Sequence, residues 1–207
     1  MLFRSLNHNI NIIEARRRPG YDELEWLSFP PEHLQIDIVV GHGVKLGHQA
    51  QVIRDSHKCR WVQVVHTDPE ELGMFKSYSN PISKGEEKHQ IEVELCEMAD
   101  FVVGVGPKLS EAFSSYLRGC EKDQTIFDLT PGVFDEFLSV KQVPNEGKHC
   151  SVLVFGRGDA EDFALKGFDI AGKAVASLPD THLVFVGAPE GKHEEVAARL
   201  LDCVTKK

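Results

Sequence analysis

The chain has 207 residues, of which 42% are apolar and 27% charged, and its formal net charge is −9 at pH 7. These proportions are those of an ordinary globular protein. The acidic balance argues against a nucleic-acid partner, because neutralising phosphates requires a basic face. The apolar runs are too short to cross a bilayer, and the first residues do not form a signal-peptide pattern. We therefore expect a cytoplasmic protein without a membrane or nucleic-acid partner.

The cysteines support the same compartment. None of them forms a Cys-x-x-Cys pair, and an odd number cannot all pair within one chain. We expect reduced thiols, as is usual in the cytosol. The five are Cys59, Cys96, Cys120, Cys150 and Cys203.

Strand and helix patterns alternate along the chain. Continuous apolar runs predict six strands, over residues 36–40, 61–65, 101–105, 125–129, 151–155 and 182–186. The segments between them predict helices over residues 46–55, 85–98, 107–117, 168–177 and 193–203. This alternation is typical of an α/β protein with Rossmann-like parallel sheets and helices on both faces.

Residues 140–148, which contain Pro-Asn-Glu-Gly, form the best candidate linker. We therefore expect an N-terminal Rossmann-like domain over residues 1–143, followed by a second segment over residues 149–207. Two strands are too few for a self-standing domain. The second segment is accordingly expected to dock on the first sheet, to extend it, or to be completed by another chain.

The fifth strand leads into a turn suited to a diphosphate. Gly156 lets the backbone approach a ligand closely, and the next helix begins near Lys166, with its positive end at the same place. Arg157 can bind phosphate oxygens as a fork, and Lys166 can act as a point charge. The alternative is that both are ordinary surface cations.

The residues around Arg157 and Lys166 favour the diphosphate site over the alternative of ordinary surface cations. Gly156-Arg157, Lys166-Gly167, a helix and a strand ending at Gly187 together resemble the start of the nucleotide-sugar-binding domain of retaining GT-B glycosyltransferases. Within that family, the chain resembles the glycogen-synthase and sucrose-synthase-like group.

Upstream segments resemble the same family. Residues 94–109 are similar to its helix-to-strand passage, and Pro131-Gly-Val133 is similar to its inter-domain turn. Residues 37–43 and 64–68 resemble two acceptor-domain strands that each lead to a histidine. The resemblance covers roughly residues 36–187.

The resemblance implies transfer of a sugar from a UDP- or GDP-sugar with retention of configuration, without a metal or another cofactor. Gly156, Arg157 and Lys166 would bind the donor diphosphate. His66 would be catalytic, reaching the donor sugar from the acceptor domain.

By the same resemblance, Gly41, His42 and Gly43 would line the cleft. Alternatively, His66 and His42 are structural histidines that form hydrogen bonds with neighbouring groups at a strand end.

Parts of the family pattern have no counterpart in these 207 residues: a first strand with a glycine-rich acceptor loop, and the paired glutamates of the donor domain. A second function class therefore stays open, a non-catalytic interaction module on a degenerate glycosyltransferase scaffold. It predicts a cleft that binds little and an exposed apolar surface. We also expect either self-association or a further domain in a longer protein.

One loop contains several side chains of the kinds that bind metals. His66-Thr67-Asp68 is followed by Glu70 and Glu71, but these are mostly solvated acids on a single loop. A closed metal site needs three or four ligands in fixed geometry, so we expect no metal here.

Overall fold

The computed structural model describes residues 10–75, 80–120, 125–132, 135–141, 150–160 and 163–205. The chain divides into two compact units. The first unit comprises Met1–Leu72 and Ile82–Gly132, and the second comprises Gly73–Pro81 and Val133–Lys207.

Among the described residues up to 132, four strands and four helices follow a short 3₁₀ turn. The turn is Glu25–Ser28, and the elements after it are β1 (Ile38–His42), α1 (Gly43–His57), β2 (Arg60–Val65), α2 (Pro69–Phe75), α3 (Pro81–Met98), β3 (Phe101–Gly104), α4 (Pro107–Tyr116) and β4 (Ile126–Asp128).

The first sheet is entirely parallel, and its spatial order β1-β2-β3-β4 is the order along the chain. Right-handed crossovers between strands that advance in one direction place their helices on the same face. On that face, Trp61, Gln63 and Val102 lie on neighbouring strands and are fully buried. The core between sheet and helices comprises Ala50, Trp61, Val65, Leu95, Cys96, Ala99, Val102, Leu109, Phe113 and Leu117.

The opposite face of this sheet is more open. Ile38 and Val40, which alternate with the buried positions of β1, are each at least half exposed. Helices α1, α3 and α4 contribute to one core on the other face.

The second unit contains a sheet of its own. Its strands β5 (Cys150–Phe155) and β6 (Thr181–Val186) are parallel, and they pair with each other rather than extending the first sheet. Helices α5 (Phe168–Ala176) and α6 (His193–Thr205) follow the two strands, and a 3₁₀ turn at Asp135–Ser139 precedes them.

Helices α5 and α6 cover one face of the β5–β6 sheet. Phe168 packs edge to face on Phe185 with ring centroids 5.0 Å apart, and Val196 of α6 is buried. The other face is apolar and open, because every second residue of both strands is exposed. Its apolar residues are Leu153, Phe155, Val184 and Val186.

The predicted α/β fold with parallel sheets is confirmed. All six predicted strands and all five predicted helices are present, with ends that differ by a few residues. Helix α2 was not predicted. Most of the predicted linker, from residue 142 onward, lies outside the described residues. Among the described helices, none has the length and apolar character needed to cross a membrane.

The first core yields a stability prediction. Leu95 is 1% exposed, so Leu95→Ala should lower the free energy of unfolding by about 2–5 kcal/mol, through lost burial and a residual cavity. Both tryptophans, Trp26 and Trp61, lie in the first unit, so urea unfolding followed by tryptophan fluorescence reports on that unit.

The matched control is Leu129→Ala, because Leu129 lies in the same unit and is 54% exposed. It should change the free energy of unfolding by no more than about 0.5 kcal/mol. Equal losses for the two variants would contradict the assignment of the core.

Candidate functional site

Two histidines meet at the carboxyl edge of the first sheet. His42 is the last residue of β1, and His66 directly follows β2. Because β1 and β2 are parallel neighbours, their ends lie at one edge, where open α/β sheets bind ligands. Nδ1 of His42 lies 2.7 Å from Nε2 of His66, and the rings stack with centroids 4.9 Å apart. The predicted strand-end histidines therefore form a pair.

The histidine pair favours a neutral His66. Partial burial lowers the pKa of the His66 imidazole, and positive charge on His42 lowers it further. In the bond that joins the rings, one nitrogen donates and the other accepts, so the contact itself requires that one of these two nitrogens carry no proton. His66 is thus suited to accept a proton near neutral pH.

The glycines beside His42 have different roles. Gly41 is buried in β1, where an added Cβ would lie 2.7 Å from Oε1 of Gln63 and 2.9 Å from Cβ of Ala50. Gly43 begins α1 with φ +59°, a conformation that favours glycine. Of the three residues predicted to line a cleft, His42 presents the exposed side chain, and Gly41 is a close-packed strand position.

Glycines also end both strands of the second sheet. Gly156 follows β5 with φ +149°, and an added Cβ there would lie 2.9 Å from Cζ of Phe168. Gly187 follows β6 with φ +113°, and its added Cβ would lie 2.5 Å from the carbonyl oxygen of Gly156. The two turns are therefore in backbone contact at the carboxyl edge of this sheet.

The predicted cations lie on the loop between β5 and α5. The Arg157 guanidinium is 77% exposed and forms an ion pair with the Asp159 carboxylate at 2.7 Å. Nζ of Lys166 lies 3.5 Å from the carbonyl oxygen of Arg157, just before the start of α5. Gly156, Arg157 and Lys166 are thus close together. Glu161 and Asp162, which with Asp159 would compete with an anionic ligand for these cations, lie outside the described residues.

A cavity of about 360 Å³ adjoins this loop. It lies between the turns after β5 and β6 and the first half of α6, and Arg157 and Asp159 are among its lining residues. It adds two cations that the sequence did not predict, Lys192 and Arg199, of which Arg199 is paired with Glu195 at 2.6 Å. The sequence does contain a signal for Lys192, because this residue lies in a turn with proline and glycine directly after a predicted strand, where ligands of parallel sheets bind.

A larger cavity of about 400 Å³ lies in the irregular segment before β1. Its lining residues, between Ile13 and Leu34, include none of the predicted site residues. We therefore assign it no part in the site.

The acidic loop after β2 lies close to His89 of α3. Asp68, Glu70 and His89 have potential ligand atoms within 4.8 Å of one another. Asp68, however, already accepts hydrogen bonds from the backbone N–H groups of Glu70 and Glu71, and its other oxygen accepts from the Tyr116 hydroxyl at 3.1 Å. These contacts make Asp68 the N-cap of α2, and we assign no metal to the group.

The histidine pair yields a titration prediction. The pKa of His66, measured by histidine NMR, should lie below the ordinary value. His42→Gln should raise that pKa, because a neighbouring charge is removed, without restoring the ordinary value, because burial remains the larger cause. His33→Gln, at an exposed position of the same unit, should leave it unchanged. An ordinary His66 pKa in the unmodified protein would contradict the described pair.

The fold is similar to that of solved glycosyltransferases. Sucrose-phosphate synthase from Thermosynechococcus elongatus matches with a TM-score of 0.53 and 17% identity, covering 81% of this chain and 42% of that chain. At this identity the match shows the fold alone, which is GT-B-like as predicted. The chain spans less than half the length of the synthase chain that it matches.

A search of curated protein sequences finds no match. The model of one family, described as "Family 4 Glycosyltransferase in conflict systems", matches residues 4–207. The match covers nearly the whole chain and agrees with the fold. The chain belongs to this family of glycosyltransferases.

Proposed function

We propose that the protein binds a nucleotide-diphosphate sugar, UDP- or GDP-linked, at the turn after β5 and acts on it as a metal-independent retaining glycosyltransferase. One observation carries this proposal. The Arg157 guanidinium lies at the carboxyl end of a parallel strand and is paired with a carboxylate of its own loop. The Arg157 guanidinium therefore lies where it binds an anion, and a phosphate group can replace the Asp159 carboxylate as that anion.

The exchange is favourable on chemical grounds. A diphosphate offers Arg157 a bidentate acceptor with more charge than the Asp159 carboxylate. The Arg157 side chain is 77% exposed and that of Asp159 is 33% exposed, so solvent screens the ion pair and breaking it costs little. Lys166 lies on the same loop, Lys192 lines the adjoining cavity, and the positive end of α5 adds a further attraction.

The same groups suit the chemistry of transfer. As the bond between sugar and diphosphate breaks, negative charge develops on the leaving phosphate. Arg157 and Lys166 would stabilise that charge, as fixed cations do at other developing anions. We propose His66 as the catalytic residue contributed by the first unit, because its lowered pKa keeps it neutral and able to accept a proton.

The donor site is tested by calorimetric titration with UDP. Arg157→Ala should weaken binding by about tenfold or more, the usual loss for a hydrogen bond to a charged group. Asp159→Asn should strengthen binding severalfold, because it removes the carboxylate that competes for Arg157. Arg118→Ala, an exposed arginine of the first unit, is the control and should change nothing.

The pattern across the variants decides the outcome. Opposite effects of Arg157→Ala and Asp159→Asn would support a diphosphate site at this loop. Saturable binding that neither variant alters would contradict it, as would the absence of heat up to millimolar nucleotide.

The role of His66 is tested by turnover. In an assay of donor-sugar hydrolysis or transfer, His66→Ala should reduce turnover by about 10²-fold or more, the range for loss of an acid–base group. Its affinity for UDP should be unchanged, because His66 is assigned to the sugar and not to the diphosphate. An active His66→Ala variant would remove the histidine from the mechanism.

A second candidate function, a non-catalytic interaction module, is favoured by the open face of the β5–β6 sheet. Phe155 there is 79% exposed and Leu153 is 64% exposed. Contiguous exposed apolar side chains commonly mark an interaction surface. Failure to bind UDP, combined with self-association that Phe155→Ser abolishes in light scattering, would support this alternative.

A further inference from the structure

A buried carboxylate lies beneath the turn that carries His42. Glu92, on α3, is 4% exposed, and Gln63, on β2, is fully buried. Nε2 of Gln63 donates to Oε1 of Glu92 at 2.9 Å and to the carbonyl oxygen of Gly43 at 3.1 Å. One amide group therefore links the carboxylate to the first residue of α1.

The carboxylate also holds the start of α1 directly. It accepts a hydrogen bond from the backbone N–H of Val44, and its Oε2 would lie 3.7 Å from a Cβ added at Gly43. The side chain of His42, the N-cap residue, makes no capping hydrogen bond to this helix. Glu92, on a different helix, supplies a hydrogen-bond acceptor for one of the backbone N–H groups that the start of α1 leaves without an intrahelical partner.

The side chain of Gln63 is closely packed against the backbone on both sides of the turn. A Cβ added at Gly41 would lie 2.7 Å from Oε1 of Gln63, and one added at Gly47 would lie 3.0 Å from both side-chain termini. The Gln63 amide is thus enclosed between the end of β1 and the first turns of α1. His42 lies on the backbone segment that this amide and Glu92 together hold.

We propose that Glu92 and Gln63 are positioning residues that fix the segment from Gly41 to Val44 and thereby keep the His42 ring against His66. The need for them follows from the sequence of the turn. Pairing with β2 fixes the backbone as far as His42, the last residue of β1, but the next residue, Gly43, has no side chain that could pack and adopts φ +59°. The hydrogen bonds of the buried pair supply that restraint. The consequence for sugar transfer rests on the function proposed above, whereas the positioning itself does not.

A purely structural role makes a different prediction. Burial raises the pKa of the Glu92 carboxyl, because the charged form is poorly solvated there.

If Glu92 only stabilised the fold, its substitution would change the free energy of unfolding and leave the contact between the two histidine rings unchanged. If it positions His42, the rings must separate even in a folded variant.

The test is ¹⁵N NMR of the histidine side chains in the full chain. The variant is Glu92→Gln, which keeps the size of the side chain but presents an amide in place of a carboxylate. His42→Gln defines the His66 signal without its partner. Glu94→Gln is the matched control, because Glu94 is exposed on the same helix two residues further on.

In Glu92→Gln, the Nε2 shift and titration midpoint of His66 should move at least halfway to their values in His42→Gln, and Glu94→Gln should leave both unchanged. A folded Glu92→Gln protein with wild-type histidine signals would overturn the proposal. Should Glu92→Gln not fold, Gln63→Leu makes the same test, with the same two outcomes. Failure of UDP binding would contradict the proposed function and leave this result intact.

Discussion

Parallel pairing of neighbouring strands is the constraint on which both candidate sites depend. It forces the carboxyl ends of adjacent strands to one edge of a sheet, whatever the sequence between them. In the first unit this brings together His42 and His66, which are separated by a helix and a strand along the chain. In the second unit it brings together the turns at Gly156 and Gly187, so that loops after both strands border one cavity.

In each unit, one charged side chain is held by polar groups of the same unit. The Arg157 guanidinium is held by Asp159, and the Glu92 carboxylate is held by Gln63 and the N–H of Val44. The Arg157 guanidinium is exposed, so its partner is exchangeable, whereas Glu92 and Gln63 are both buried and their hydrogen bond is costly to disturb. This contrast fits the roles assigned to them. A ligand site needs a partner that can be displaced, and a positioning site needs one that cannot.

Much of the fold could be predicted because its signals are local. Continuous apolar runs mark the six strands, and glycines mark the turns at Gly156 and Gly187. Helix α2 escaped prediction because it is only seven residues long and depends on capping by Asp68. The place of the candidate histidines followed from their position at strand ends, although their mutual contact did not.

The remaining features depend on contacts between distant segments. Nothing local distinguishes Glu92 from the exposed acids of α3, because its burial arises from the packing of that helix on the β1–α1 turn. Gly41 was predicted to line a cleft, yet its position against Gln63 and Ala50 depends on the register of β1 with β2 and α1. Lys192 contributes to the cavity because β6 lies beside β5.

The most direct test of the central claim is a crystal structure of the protein with bound UDP. The account predicts that the diphosphate lies at the Gly156 turn, that the Arg157 guanidinium has left Asp159, and that it bonds the phosphate oxygens in a bidentate arrangement. A nucleotide bound elsewhere, or at this turn with the Arg157–Asp159 pair intact, would contradict it.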